Sequence, residues 1–212
     1  MTLPIRTGRT WRRWQAEATE AAREGLRVHR SGIIQAATGT GKGDLLAGIA
    51  AGSRSRVLVN VHRKDLVNDL AARINLVGAC GVVMGPKREC DARIVVGCTP
   101  SLVNNLDALG TFGLLITDEA HMATSAQHRK LHHLAPLHLG FTATPFRSAP
   151  SGGTMGLGSV FRAIFYRYSL QQAIANGDLC RIDGIRVTTK TSLEAVPTKN
   201  GDFLSAELSD AV

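Results

Sequence analysis

Short apolar runs alternate along the chain with longer stretches of helical spacing. Ala16–Val28 is rich in Ala, Glu and Arg and predicts a helix. Gly32–Ala36 is a short apolar strand, and a Gly/Thr loop and a helix over Asp44–Ala51 follow it. Arg56–Val61 is β-branched and apolar, a buried strand; Lys64–Ile74 carries Leu66, Leu70 and Ile74 four apart, a helix face. Val82–Met84 and Arg93–Cys98 predict strands, Pro100–Leu109 a helix, Leu114–Thr117 a strand, Gln127–Leu134 a helix and Leu137–Thr142 a strand. Strands separated by helices imply βαβ units with right-handed crossovers and a mostly parallel buried sheet, an α/β fold.

The character changes near residues 148–158, where Ser, Gly and Pro predict a flexible loop. Leu170–Asn176 predicts a helix stopped at Gly177, and Arg181–Thr188 a strand. Residues 189–212 are polar, with no large apolar face, and read as a linker or the start of a further unit. The expected division is a nucleotide-binding domain over 1–150, then a Gly-rich loop, helix and strand over 151–212.

Composition narrows the class. With 212 residues, 44% hydrophobic and 20% charged, the chain is ordinary globular material rather than a disordered tail, a collagen-like repeat or a coiled coil. A core of this size buries roughly 70% of the surface of its unfolded chain. Apolar runs such as Phe112 to Ile116, broken by Gly113, are far short of the ~20 residues of a membrane span. The charged N-terminus has no apolar stretch behind it, so no secretory signal is expected. Cys80, Cys90, Cys98 and Cys180 are too few and too unevenly spaced for a disulfide framework or zinc ribbon, and reduced thiols in a cytoplasmic protein are expected. The net charge of +8 is unevenly placed: residues 1–150 hold 19 Lys and Arg against 11 Asp and Glu, and residues 151–212 hold 6 against 6. The positive field lies in the first two thirds and favours polyphosphates, nucleic acid or nucleotide.

Candidate chemistry begins at Ala36-Ala37-Thr38-Gly39-Thr40-Gly41-Lys42-Gly43, between a predicted strand and a predicted helix. That is the setting of a phosphate loop. Backbone N–H groups around Gly39 and Gly41 would wrap a β-phosphate, the helix N-terminus would add its dipole, and Lys42 would bridge the β- and γ-phosphates. The hydroxyl residue expected after the lysine, normally a Mg²⁺ ligand, is Gly43. Asp44 has two readings, a substitute metal ligand or an acid favouring the helix start. A second motif, Asp118-Glu119-Ala120-His121, follows a buried strand. Carboxylates at the C-terminal end of a parallel strand point into the ligand crevice. Asp118 would hold Mg²⁺ and Glu119 would orient and deprotonate the attacking water.

These motifs, followed by Thr142-Ala143-Thr144-Pro145, resemble the first motor domain of superfamily two helicases and translocases, closest to DEAH-containing members of the restriction-enzyme and excision-repair type found in bacteria and phages. The resemblance covers nearly the whole chain. It implies a RecA-like three-layer sandwich, ATP and Mg²⁺ as cofactors, and coupling of hydrolysis to movement on nucleic acid, DNA before RNA. Trp11-Arg12-Arg13-Trp14-Gln15 is similar to the family's adenine-recognition segment, with Arg12 and Gln15 on the base. Val61-His62-Arg63-Lys64 and Thr99-Pro100-Ser101-Leu102 resemble segments lining the nucleic-acid track, which implies phosphate contacts for His62, Arg63, Thr99 and Ser101. His121, Thr142 and Thr144 would couple the ATP site to the track. Phe161–Leu179 is like the stretch such proteins carry between two motor domains.

In the family ATP lies between two such domains, the second supplying an arginine finger. Nothing in residues 150–212 resembles it, so a partner domain in the same or another chain is expected, with slow hydrolysis and no strand separation by this chain alone. Two alternatives stand beside the motor reading: a nucleotide-binding module whose Mg²⁺-dependent hydrolysis is impaired by Gly43, and the motor subunit of a restriction or defence complex. His128, His132 and His133 lack the companions of a zinc site and are expected to be surface or part-buried helix residues.

Overall fold

The structure, a computed structural model, describes residues 10–76, 79–148 and 154–184 and the short strands Thr198–Lys199 and Asp202–Phe203. In chain order these form α1 (Arg13–His29), β1 (Ser31–Ala36), α2 (Lys42–Gly52), β2 (Val57–Val61), α3 (Lys64–Asn75), β3 (Gly81–Met84), β4 (Lys87–Arg88) and β5 (Ile94–Cys98). Then come α4 (Thr99–Val103), α5 (Leu106–Leu109), β6 (Leu114–Asp118), α6 (Ala126–Arg129), β7 (Leu137–Thr142), β8 (Phe146–Ser148), β9 (Thr154–Gly156), β10 (Ala163–Tyr168) and α7 (Leu170–Ala175).

Eight strands form one sheet in the order β10-β1-β7-β6-β2-β5-β3-β4, parallel throughout except for the β3–β4 pair. All five residues of β2 and all five of β5 are buried, as strands covered on both faces must be. One face carries α1, α2, α3 and α7, whose Trp14, Ala18, Leu45, Leu46, Val67, Ile74 and Ala173 share a core with Val59, Ile116 and Phe141. The other face is covered by α4, α5 and the segment around α6, through Leu102, Leu109, Leu131 and Leu134 over Leu58, Val95 and Leu115. Helices on both faces of a mostly parallel sheet are the expected α/β sandwich.

Five expectations change. Pro100–Leu109 is two short helices, α4 and α5, and Gln127–Leu134 divides into α6 and a 3-10 turn at His132–Leu134. The Gly-rich 148–158 stretch contains strand β9, which pairs antiparallel with β8 before it, with 149–153 outside the described residues. Residues 181–184 are irregular; the remainder of the strand expected over Arg181–Thr188, and most of 189–212, lies outside the described residues. Finally, a domain boundary at 150 stops short of the sheet. β10 pairs in parallel with β1 from Gly32↔Ala163 to Ala36↔Tyr168, and α7 packs into the core through Ala173.

Candidate nucleotide site

The sheet places the motifs side by side. The loops after β1, β7, β6, β2 and β5 leave the C-terminal ends of five consecutive parallel strands. Asp118 is in register with Phe141, and Gln35 at the end of β1 with Thr142. The phosphate loop, the Thr142–Thr144 turn and the acidic motif therefore open into one crevice.

The loop after β1 turns through Gly39 at φ 84° and Gly41 at φ 95°, a region glycine enters without the Cβ clash other residues meet. Gly41 is the N-cap of α2. Thr38 and Gly39 are exposed, while Thr40 is buried and donates its hydroxyl to the Ala37 carbonyl at 2.7 Å. Lys42 Nζ lies inside the loop, 3.1 Å from the Ala36 carbonyl and 3.2 Å from that of Ala37. Burial pushes its pKa below the ordinary lysine value, and Glu119 and Asp118 pull it partly back. Thus the ammonium and both carboxylates share one field.

Asp118 ends β6, and its pKa is raised, first by burial and then by the neighbouring Glu119. Glu119 takes a left-handed backbone, φ 49° and ψ 53°, which is rare for a side-chain-bearing residue and costs on the order of 1 kcal/mol. That turn sets two consecutive acids at the strand end. His121 Nδ1 lies 3.2 Å from Glu119 Oε2 and 3.3 Å from Thr142 Oγ1. The Thr142 hydroxyl donates to the Thr144 carbonyl at 3.1 Å, and the same oxygen accepts from Thr144 N–H at 3.1 Å. With that proton committed, the hydrogen between His121 and Thr142 must sit on Nδ1, which then also faces the Glu119 carboxylate. The chain Glu119–His121–Thr142–Thr144 is thus continuous from the acid to the turn after β7.

Gly43 provides no side-chain oxygen. A Cβ built on it would stand 3.7 Å from Arg73 Cδ and 3.8 Å from Nε, so its open side faces α3. Arg73 pairs with Asp44 at 2.7 Å and with Asp69 at 2.9 Å. The Arg73–Asp44 ion pair ties the start of α2 to α3. The donor set at the crevice is one buried-end carboxylate, Asp118, beside Glu119. That suits Mg²⁺, which takes one or two protein carboxylates and fills its remaining positions with phosphate oxygens and water.

Arg12 and Gln15 contact the phosphate loop. Gln15 is buried; its Oε1 accepts from Arg12 N–H at 2.9 Å and its Nε2 donates to the Gly41 carbonyl at 3.1 Å. Arg12 Nη1 donates to the Thr40 carbonyl at 3.1 Å.

His62 and Arg63 are exposed at the end of β2, with Arg63 paired to Asp65 at 3.0 Å. Ser101 is half-buried and lies 3.2 Å from Cys98 Sγ. Thr99 corrects its expected role as a phosphate contact. It is 4% exposed, donating to Asn60 Oδ1 at 3.0 Å and meeting His128 Nε2 at 3.1 Å. Because its one proton goes to Asn60, Thr99 accepts from His128 Nε2–H, and His128 Nδ1 accepts from Ser125 Oγ at 2.8 Å. His128, expected on the surface or half-buried, is fully enclosed, and burial lowers its pKa to about 4. His132 and the buried His138 are also shifted down by burial, and His138 bonds Thr117 at 2.8 Å.

Neutral buried histidines make the fold acid-sensitive. Unfolded histidine titrates near 6.5, so the unfolded chain takes up protons first as pH falls. Stability present above pH 6.5 is lost toward pH 4, and His128 alone withdraws roughly 2 kcal/mol between pH 7 and pH 5. Thermal unfolding should come several degrees lower at pH 5 than at pH 7, with a smaller difference in His128→Gln. Equal melting temperatures at the two pH values would contradict the buried-neutral assignment.

Sequence reasoning missed Arg73, Asn60, Tyr168, Asp178 and Leu179 as neighbours of the site. They lie on other elements, up to 166 residues from their partners, and carry no motif.

A phosphate loop facing paired acids across the ends of parallel strands defines a P-loop nucleotide-binding domain of RecA-like architecture. Residues 9–147 match the family described as Type III restriction enzyme, res subunit, and the chain belongs to that family. It is a superfamily two motor domain of the first, N-terminal type. Putative helicase 109L of Invertebrate iridescent virus 3 is 32% identical over 136 residues, 58% of this chain and 41% of the viral protein. Among solved structures, the ATP-dependent Type ISP restriction-modification enzyme LlaBIII bound to DNA superposes with a TM-score of 0.67 at 18% identity, over 80% of this chain and 16% of that one. The UvsW helicase from bacteriophage T4 gives 0.54 at 21% identity, over 68% and 57%. The likeness to these structures is one of fold. The chain spans less than half the length of the viral relative. Among the described residues no helix is long and apolar enough to cross a membrane.

Proposed function

We propose that this chain binds and hydrolyses ATP as one half of a motor that moves on nucleic acid, with duplex DNA as the track. The observation carrying this is the placement of Lys42 and its glycine loop after β1 and of the Asp118–Glu119 pair at the end of β6, two parallel strands separated only by β7. Backbone N–H groups of residues 39–43 bind the phosphates, and Lys42 leaves its two loop carbonyls to meet the β- and γ-oxygens. Asp118 would hold Mg²⁺, which neutralises charge on the phosphates when bound. Glu119 orients a water in line with the γ-phosphorus and accepts its proton. Loss of the Glu119 partner charge releases His121 toward Thr142, and the turn at Thr144 registers the change. The second motor domain completes the site with an arginine worth roughly a thousandfold in rate, so the single domain turns over slowly.

The excess positive charge of residues 1–150 supports a polyanionic track. DNA is favoured because LlaBIII and the Sulfolobus solfataricus SWI2/SNF2 ATPase core, which share the fold, are described bound to DNA. His62, Arg63 and Ser101 are the proposed contacts, with Thr99 holding α4 from beneath. The test is phosphate release by the chain with no nucleic acid, with duplex DNA and with duplex RNA. Slow Mg²⁺-dependent release that rises most with duplex DNA is expected. Nucleotide binding with a rate that no nucleic acid alters would favour a binding module instead.

A further inference from the structure

We infer that Asp178 is a positioning residue for nucleotide binding, holding Arg12 against the phosphate loop from the segment beyond β10. The inference rests on the reading of residues 36–43 as the phosphate site. Arg12 is the link: its Nη1 donates to the Thr40 carbonyl at 3.1 Å, and its Nε stands 3.4 Å from Asp178 Oδ1. Asp178 is itself fixed. Its Oδ2 accepts from Tyr168 Oη at 2.5 Å, and Asn176 Nδ2 donates to that hydroxyl at 3.1 Å. The acid side chain is 17% exposed against 43% for Arg12, so the arginine is the partner that needs holding.

Two further contacts from the same segment reach the loop. Ala37 N–H donates to the Tyr168 carbonyl at 3.1 Å, and Leu179 Cδ2 lies 3.1 Å from where a Cβ on Gly39 would stand. Residues 168–179 thus brace the loop at Ala37 and Gly39 directly, and at Thr40 through Arg12.

The consequence follows from peptide geometry. In a trans peptide the carbonyl of one residue and the N–H of the next point in opposite directions. Arg12 on the Thr40 carbonyl therefore aims the Gly41 N–H to the other side of the loop, and Gln15 on the Gly41 carbonyl does the same for the Lys42 N–H. A phosphate site gains affinity when its donors are held in place before the ligand arrives. Asp178 supplies that hold from outside the P-loop and both neighbouring helices.

The test is a double-mutant cycle read by titrating a fluorescent ATP analogue into the chain, Arg12→Ala, Asp178→Asn and the double variant. Each single change should weaken binding about tenfold, as expected for losing a hydrogen bond to a charged group. The double variant should be no weaker than Arg12→Ala, because both changes remove one link. Asp178→Glu, which keeps the charge, should recover most of the affinity. Tyr166→Phe, which cuts the neighbouring Tyr166–Glu17 hydrogen bond without touching the loop, should leave binding unchanged. Undiminished binding in Asp178→Asn, additive losses in the double variant, or an equal loss in Tyr166→Phe would each overturn the proposal. Lys42→Ala keeps the two readings apart. Binding lost there but intact in Asp178→Asn overturns the positioning role alone. No binding by the unaltered chain overturns the phosphate-site reading and the positioning role together.

Discussion

Glu119→Gln is expected to lower ATP turnover by about a hundred- to ten-thousandfold while nucleotide affinity stays within about threefold. The amide matches the carboxylate in shape but cannot accept the proton of the attacking water. Lys42, Asp118 and the loop N–H groups, which carry the binding, keep their places. The substitution also removes the charge facing His121 Nδ1 at 3.2 Å and leaves a neutral amide beside the His121–Thr142 contact. Single-turnover hydrolysis measured beside equilibrium binding separates the two effects. A large loss of affinity with turnover intact would place Glu119 in binding rather than in proton transfer.

Phe141→Ala is expected to destabilise the fold by about 3–5 kcal/mol, the usual cost of truncating a fully buried aromatic. Phe141 is 0% exposed. It sits on β7, between β1 and β6, in register with Ile34 on one side and Asp118 on the other. The collapse that would fill its cavity is opposed by strands on both sides and helices above. Domains of this kind are stable by roughly 5–15 kcal/mol in total, so the loss takes a large part of that margin. The denaturant midpoint should fall sharply with the slope unchanged, and nucleotide binding should weaken with it because the cavity undermines both motif-bearing strands. A change below about 1 kcal/mol would mean that β7 is not central to the core.

The sheet was legible in sequence because its strands are buried on both faces and so read as uninterrupted apolar runs. Leu137–Thr142 matches β7 at both ends, and Gly32–Ala36 lies one residue inside β1. The edge strand β10 was not legible. AIFYRY mixes half-buried and exposed positions because one side of the strand faces solvent, so neither strict alternation nor an apolar run marks it. The short helices α4, α5 and α6 look longer in the sequence because apolar spacing persists across the turns that break them. The motifs themselves were legible, since glycine at positive φ, a lysine at a helix start and acids at a strand end are local features. Partnerships across the chain were not. Nothing near Thr99 signals Asn60 and His128, and nothing near Asp44 signals Arg73. Those contacts exist because the sheet brings β2, β5 and the segment after β6 together, and because α3 packs on α2.

The central claim is that residues 36–43 hold the phosphates of a nucleotide with Lys42 as the cation. It is tested most directly by calorimetric titration of ATP into the chain and into Lys42→Ala, with and without Mg²⁺. The account predicts saturable binding by the unaltered chain, tighter with Mg²⁺, and binding lost by a hundredfold or so in Lys42→Ala, consistent with removing a charged hydrogen-bonding partner from a partly buried site. Equal affinity in the two proteins would contradict it.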